Sequence, residues 1–340
     1  MNWITRWKKI GIKVKQIFKK QPTGQEQTDW KNCPQCKKIS YLPDLVLNSY
    51  ICECNFHFDM PPRLRLENLF DSTYEIIEAP ENINPDPLNF EVKDGAREGY
   101  KYIQKIQKYR KITGQKTALI CASGNVSNLR TVVVCFNPKF GAGRFGPAEN
   151  EHFLKAANFA VKEKVDAWIV IYQSSGIDVH TGVTGLAGMT KSIIAMNEIK
   201  KNNIPTFCVA ARATAGGTYA SSFFMHDFII VESKCVENLL FSGKRVTANI
   251  LKGTDQIPED FGTALGIMKS GLADITLESR KKLKDTISSL ANIILKKQEL
   301  KDTITKLGNI ILKKIEFKTQ NLDEAHENPE DFKKTASTSS

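Results

Sequence analysis

The feature that most constrains this chain is an alternation of strand-like and helix-like runs between roughly residues 88 and 280. The runs 117–122, 131–136, 167–172, 206–210 and 228–231 are apolar and strand-length, whereas 150–164 and 185–200 are long enough for helices. Strands alternating with helices imply parallel pairing through crossover helices, so the fold class is α/β. At 340 residues, 41% of them hydrophobic, the chain can bury one large core or two modest ones.

Composition divides the rest into appendages. Residues 1–30 form a basic segment, 31–71 a cysteine-bearing unit running into a helix near 62–70, 72–295 the main domain, and 296–340 a repeated helix with a polar, disordered tail. The net charge of +11 favours contact with polyanions, whether nucleic acid, a membrane surface or a phosphate-bearing cofactor. Part of it is local, because Arg6, Lys8, Lys9, Lys13, Lys15, Lys19 and Lys20 stand near the start with no acid among them. That stretch lacks the apolar core and small-residue cleavage site of a secretory signal, and it has no serine, unlike a transit peptide. No run of about 20 apolar residues occurs, so no membrane-spanning helix is expected.

The segment 284–297 recurs as 301–314, a period of 17. At about 100° per residue a 17-residue copy turns its apolar stripe by about 100° relative to the first. One straight stripe cannot serve both, so two helices are expected, or a duplicated terminal helix whose second copy is dispensable.

Of eight cysteines, Cys33, Cys36, Cys52 and Cys54 cluster, while Cys121, Cys135, Cys208 and Cys235 sit singly in apolar runs. This is no disulfide framework; it fits a reducing cytoplasm and a metal site. Cys33-Pro-Gln-Cys36 is a knuckle that turns two thiolates toward one tetrahedral ion. Cys52-Glu-Cys54 follows at the expected distance but is one residue tighter, and His57 offers a substitute ligand. The cluster is therefore either a structural zinc ribbon or a remnant packed by Tyr41, Leu45, Tyr50 and Phe56. A ribbon beside a basic arm also raises nucleic-acid binding as an alternative function.

Gly141-Ala-Gly143-Arg-Phe-Gly146 matches the dinucleotide fingerprint, but four residues intervene after the strand and Pro147-Ala148 before the helix, which argues against a nucleotide site. A flexible glycine loop beside an acyl-CoA channel and a plain connection both remain open. Two later turns share a sharper design. The strand 167–172 ends in Gln173-Ser-Ser-Gly176 and the strand 206–210 leads to Thr214-Ala-Gly-Gly217, each delivering a small-residue turn to a helix start. Unpaired backbone N–H groups there, with the favourable end of the helix dipole behind them, are the parts of an oxyanion hole. Gly176, Gly216 and Gly217 are the candidate catalytic residues. No Gly-x-Ser-x-Gly elbow, His-Glu-x-x-His or Walker loop is present, and His152, His180 and His226 stand alone; His180 comes nearest to a candidate because it follows a turn.

At these residues the chain resembles the β subunit of the bacterial and plastid-type acetyl-CoA carboxylase carboxyltransferase. The likeness runs from Met1-Asn-Trp-Ile-Thr-Arg6 to about Leu295, through Cys33-Pro-Gln-Cys36, Asp44-Leu-Val-Leu-Asn48, Arg65-Leu-Glu-Asn-Leu-Phe-Asp71 and Asp86-Pro-Leu-Asn-Phe90. Phe140-Gly-Ala-Gly-Arg-Phe-Gly146 looks like the family's Phe-Met-Gly-Gly-Ser-Met-Gly, Thr214-Ala-Gly-Gly217 like Thr-Thr-Gly-Gly, and Phe241-Ser-Gly-Lys-Arg-Val246 like Phe-Ala-Gly-Pro-Arg-Val. Gly271-Leu-Ala-Asp274 matches a late Gly-x-x-Asp. Three features depart: the family's Ser-Gly-Gly-Ala-Arg-Met-Gln-Glu reads Ser174-Ser-Gly-Ile-Asp-Val-His-Thr181, the second cysteine pair is shortened, and the aspartate and proline that usually precede Thr-Thr-Gly-Gly read Arg212-Ala213.

The resemblance implies a crotonase-like β-β-α superhelix with an N-terminal four-cysteine zinc ribbon, Cys33, Cys36, Cys52 and Cys54 being the metal ligands. It implies carboxyl transfer from carboxybiotin to acetyl-CoA, giving malonyl-CoA for fatty-acid synthesis. Gly216 and Gly217 would be the enolate donors and Gly176 part of the acyl-CoA turn, with Gly141, Gly143, Lys244 and Arg245 toward the cofactor. The implied partners are an α subunit in an α2β2 assembly, a biotin carboxyl carrier protein and a separate ATP-consuming biotin carboxylase, in cytoplasm or plastid stroma. The altered 174–181 motif leaves a second reading, a scaffold subunit that binds the α chain without turnover.

Overall fold

The computed structural model describes residues 29–94, 97–234, 238–251 and 257–327. The basic segment before 29, Cys235 and the tail beyond 327 lie outside the described residues. Those described fall into two compact units, one up to Ser289 and one from Leu290.

The first unit opens with a hairpin of β1 (Trp30–Asn32) and β2 (Ile39–Tyr41), paired antiparallel. Helix α1 (Leu42–Leu47) follows directly, with proline in its first turn, where the missing N–H costs nothing. It buries Leu42, Leu45 and Val46 against Tyr50, Phe58 and Met60 to make a small separate core. Helix α2 (Pro62–Leu69) also starts on proline and buries Leu64, Leu66 and Leu69.

Next come β3 (Glu75–Ile77), the hairpin β4 (Glu91–Asp94) and β5 (Arg97–Lys101), and α3 (Tyr102–Thr113), which stops where Gly114 turns left-handed at φ 66°. β6 (Leu119–Val126) and β7 (Leu129–Phe136) pair antiparallel rather than parallel. The reason is the two-residue connection: Ser127 and Asn128 both take positive φ, the type I′ geometry whose twist suits a hairpin. Asp71 caps this turn by accepting from both its N–H groups, at 2.9 Å each.

From β7 onward the parallel expectation holds. The chain continues through β8 (Arg144–Phe145), α4 (Pro147–Lys162), β9 (Ala167–Ser174), β10 (Gly176–Ile177), α5 (Gly182–Lys201), β11 (Thr206–Ala215) and α6 (Gly216–Tyr219). β12 (Phe228–Glu232), β13 (Leu239–Leu240), α7 (Lys244–Ile250), α8 (Ala264–Lys269), β14 (Ile275–Leu277) and α9 (Leu283–Glu327) complete it. The main sheet runs β14-β12-β11-β9-β7-β6-β3, with β13 beside the end of β11. Every residue of β9 is buried, as a central parallel strand covered on both faces requires. Alanines 156, 157 and 160 of α4 and Ala195 of α5 let these helices close onto the sheet, where Phe153 meets Trp168 edge to face at 5.4 Å. Each such large side chain contributes about 1.5–3 kcal/mol by its burial.

The two repeat copies do not make two helices: α9 runs unbroken over both. A shared stripe is unnecessary because the copies differ in burial. Ile287 is buried, whereas its counterpart Ile304 and the neighbouring Leu300, Leu307 and Ile311 are exposed.

Candidate functional site

The four clustered cysteines converge. Cys33 Sγ lies 3.6 Å from Cys54 Sγ and Cys36 Sγ 3.7 Å from Cys52 Sγ, all four sulfurs lying within 4.8 Å of one another. Bonds of about 2.3 Å to a tetrahedral ion would set sulfurs about 3.8 Å apart, so the spacing suits a metal. The first knuckle is closed by Lys37 N–H to Cys33 O at 2.9 Å, with Lys37 at φ 60°. The tighter second pair still converges because Asn55, at φ 68°, donates its N–H back to Cys52 O at 2.8 Å. His57 is not part of this group; it is buried and shares its charged surroundings with Arg280, Glu232 and Arg65. Burial first, then Arg280, lowers its pKa to about 4.

The two glycine turns meet each other. β9 and β11 lie side by side, and Thr214 registers with Ser174 after an irregularity in the ladder. A side chain on Gly176, which has φ 109°, would press on Ala215 O, and one on Gly217 would overlap Ile177 and Met189. Ser174, fully covered, knits the turn together: its hydroxyl donates to Gly143 O at 2.7 Å, accepts from Gly176 N–H at 3.1 Å and contacts Thr218 Oγ1 at 3.0 Å. The glycine loop is fastened here as well, since Ser175 N–H donates to Ala142 O at 2.9 Å. It is not a loose flap. A Cβ on Gly143 would collide with Gln173 O, and one on Gly141 would crowd Arg144 and Tyr109.

Three free amides are not what the turns present. Gly176 N–H is taken by Ser174 Oγ, and Gly216 N–H donates to Phe241 O at 3.0 Å. The second bond lies just beyond the β11–β13 pairing, which ends at Ala215 and Leu240, so the residue after β13 claims the first amide of α6. Gly217 N–H has no partner among the described residues, and the helix start carries no side-chain cap. Gly217 is also partly accessible. It is the amide that remains able to bind an oxygen anion.

Beside the turns lies a buried polar cluster not foreseen in the sequence. Asp178 Oδ2 accepts from Tyr102 OH at 2.8 Å and sits 2.8 Å from Arg144 Nη2, while Asp178 Oδ1 accepts from His180 N–H at 3.1 Å and lies 2.9 Å from His180 Nδ1. The His180 ring stacks on Tyr102 with centroids 4.0 Å apart. Burial foremost, with Asp178 adding to it, raises the Tyr102 phenol well above its ordinary value. The charges at Arg144 and Asp178 were the available signal, but nothing in the sequence says they meet. His152 and His226 are structural, bonded to Thr117 and Ile77 O and to Phe223 O respectively. Lys244 and Arg245 begin α7, and their side chains lie outside the described residues.

With this geometry in hand, comparison with known proteins is direct. The carboxyl transferase domain family matches residues 102–310. The acetyl-coenzyme A carboxylase carboxyl transferase subunit beta of Pelagibacter ubique is 32% identical over 301 residues, 87% of this chain and 93% of that one. Its counterpart in Agrobacterium fabrum is 28% identical over 298 residues, covering 87% and 95%. Among solved structures, a transcarboxylase 12S with methylmalonyl-coenzyme A and methylmalonic acid bound superposes with TM-score 0.53 at 17% identity, over 68% of this chain and 41% of that one. A Pseudomonas malonate decarboxylase hetero-tetramer in complex with malonate gives TM-score 0.52 at 16% identity, over 70% and 82%. These two likenesses are of fold, and they bear out the crotonase-like α/β reading. The chain belongs to the carboxyl transferase family, among the acetyl-CoA carboxylase carboxyl transferase β subunits.

Proposed function

We propose that the chain, together with an α subunit, moves the carboxyl group of carboxybiotin to acetyl-CoA and so forms malonyl-CoA for fatty-acid synthesis. The observation that carries this reading is the unpartnered Gly217 amide at the junction of the two turns. An acetyl thioester losing its α-proton develops negative charge on its carbonyl oxygen, and a fixed N–H aimed there stabilises that charge without reorganising. Carboxybiotin, carried on a separate protein, supplies the activated carboxyl and then a basic ureido nitrogen that takes the acetyl proton. No titrating side chain of this chain is needed for that proton. Gly176 acts through shape, its missing side chain letting the two turns lie against each other, and Gly216 supplies the left-handed φ of 59° at which the second turn enters its helix. Gly141 and Gly143 hold the neighbouring loop close by the same means, and Lys244 and Arg245 are proposed for the coenzyme's phosphates.

Cys33, Cys36, Cys52 and Cys54 are the proposed ligands of a structural zinc, which would lock two knuckles that few apolar residues otherwise support. The partners in this reading are the α subunit in an α2β2 assembly, a biotin carrier protein and a biotin carboxylase that consumes ATP. No helix among the described residues is long and apolar enough to cross a membrane. The thiols of Cys121, Cys135 and Cys208 are free, which fits the proposed cytoplasmic or stromal site.

The test is co-purification with a candidate α subunit followed by biotin-dependent decarboxylation of malonyl-CoA. A complex that assembles but never turns over would replace this reading with an inert scaffold. Failure to assemble, with retention on DNA at physiological salt, would replace it with a nucleic-acid binder.

A further inference from the structure

We infer that Arg144 and Asp178 are one exchange of charge between two loops, and that the pair holds the Gly176-Ile177 turn against Gly217 as positioning residues for carboxyl transfer. The inference rests on the proposed function and adds residues to it. β8 and β10 pair in parallel, Gly176 registering with Arg144 and Ile177 with Phe145. Asp178 follows at once, and its N–H donates to Phe145 O at 3.2 Å. Both side chains are buried, 4% and 3% exposed, with Nη2 and Oδ2 2.8 Å apart.

Asp178 brings the nearest carboxylate oxygen to Arg144, at 2.8 Å. Glu149 is the second carboxylate beside the guanidinium, 3.4 Å from Nη2, and its two oxygens also accept from Ala118 N–H and Gly146 N–H, both at 3.0 Å. Arg144 Nε, Nη1 and Nη2 make no hydrogen bond among the described residues, so the guanidinium depends on the charge of the carboxylates beside Nη2. The remaining donors to Asp178 are the Tyr102 hydroxyl and the backbone and ring of His180. Removing Arg144 leaves Asp178 a buried carboxylate without its closest cation, the costly case for an ion pair, whereas removing Asp178 leaves Arg144 with Glu149 alone.

The pair bears on the oxyanion turn through Ile177. Its side chain fills the space that a Gly217 Cβ would need, so movement of β10 is passed directly to the free amide. An amide displaced by about 1 Å from a developing oxyanion loses much of its effect. The sequence adds a second line. Arg144 stands where the resembled motif has serine, and Asp178 where it has arginine. Two departures that look independent in the chain meet at 2.8 Å, which supports reading them as one coupled change.

The experiment compares Arg144→Ser, Asp178→Arg and the double variant in the assembled complex, reading kcat and KM for malonyl-CoA. Each single change is expected to lower kcat on the order of 10- to 100-fold with KM within about threefold, and the double to recover most of that loss. A double variant showing the product of the two single losses overturns the inference. Because a single variant could fail to fold, urea midpoints are measured in parallel for full-length Arg144→Gln, Asp178→Asn and their double. Non-additive midpoint shifts support the pair, and additive ones overturn it. A wild-type complex without turnover would sink the proposed function instead, while the urea cycle still decides whether the two residues are coupled.

Discussion

Arg65 donates through both terminal nitrogens to Glu232, Nη1 to Oε1 at 2.6 Å and Nη2 to Oε2 at 3.2 Å, joining the helix after the cysteine unit to the end of a central strand. Arg280 approaches the same carboxylate at 3.4 Å and also donates to Phe58 O at 2.9 Å. All three side chains are buried. Glu232→Ala should therefore destabilise the chain by about 3–5 kcal/mol in urea unfolding, because it removes the buried carboxylate that faces both guanidiniums. A loss below about 1 kcal/mol would mean the cluster is hydrated.

Glycines 216 and 217 should respond differently to alanine. At Gly217 the new Cβ overlaps Ile177 and displaces the free amide, so kcat should fall on the order of 10²–10³-fold in malonyl-CoA decarboxylation. At Gly216 there is room, but φ is +59°, so alanine there should cost about 1–2 kcal/mol of stability and comparatively little in kcat. Equal kinetic effects would place the oxyanion donor elsewhere.

Metal content is checked directly. Purified protein should carry one zinc per chain, and Cys54→Ser should lower that occupancy, because its sulfur is 3.6 Å from that of Cys33 and completes the group of four. Chelation should expose the segment from Trp30 to Phe58 to protease while the main sheet stays protected. Protein free of zinc yet equally resistant would refute the site.

Acid should destabilise the fold through His226. Burial lowers its pKa to about 4, from an ordinary 6.5, and its Nδ1 bonds Phe223 O at 3.1 Å with no partner at Nε2 among the described residues. The folded value lies below the unfolded one, so the chain prefers the neutral ring. This stability is complete above about pH 6.5 and lost as pH falls toward 4, by up to about 3 kcal/mol. His226→Gln should flatten that slope in urea midpoints taken from pH 7 to 4. An unchanged slope would assign the acid sensitivity to other groups, His57 first.

The core strands were legible because each is a long apolar run with no competing reading. β9 is buried at every position, and its pattern needs no partner to be recognised. The hairpin of β6 and β7 was harder, since Ser127-Asn128 lacks the glycine that usually marks such a turn. Of the site, the glycines showed their place but not their availability. Whether Gly216 N–H is free depends on the carbonyl of Phe241, which directly follows a two-residue strand that sequence pattern did not reveal. The Arg144–Asp178 contact was hidden for the same reason: it is a product of β8 lying beside β10, a pairing of two residues each.

The unbroken α9 bears on how this chain can change in length. A helix grows by repeating one local bond, so copying 17 residues into it disturbs no strand register and no turn upstream. The same insertion between β9 and α5 would pull apart the glycine turns and the buried ion pair together. A helix of this kind therefore absorbs a change of chain length that the turns after β9 would not, and the 17-residue repeat lies within it.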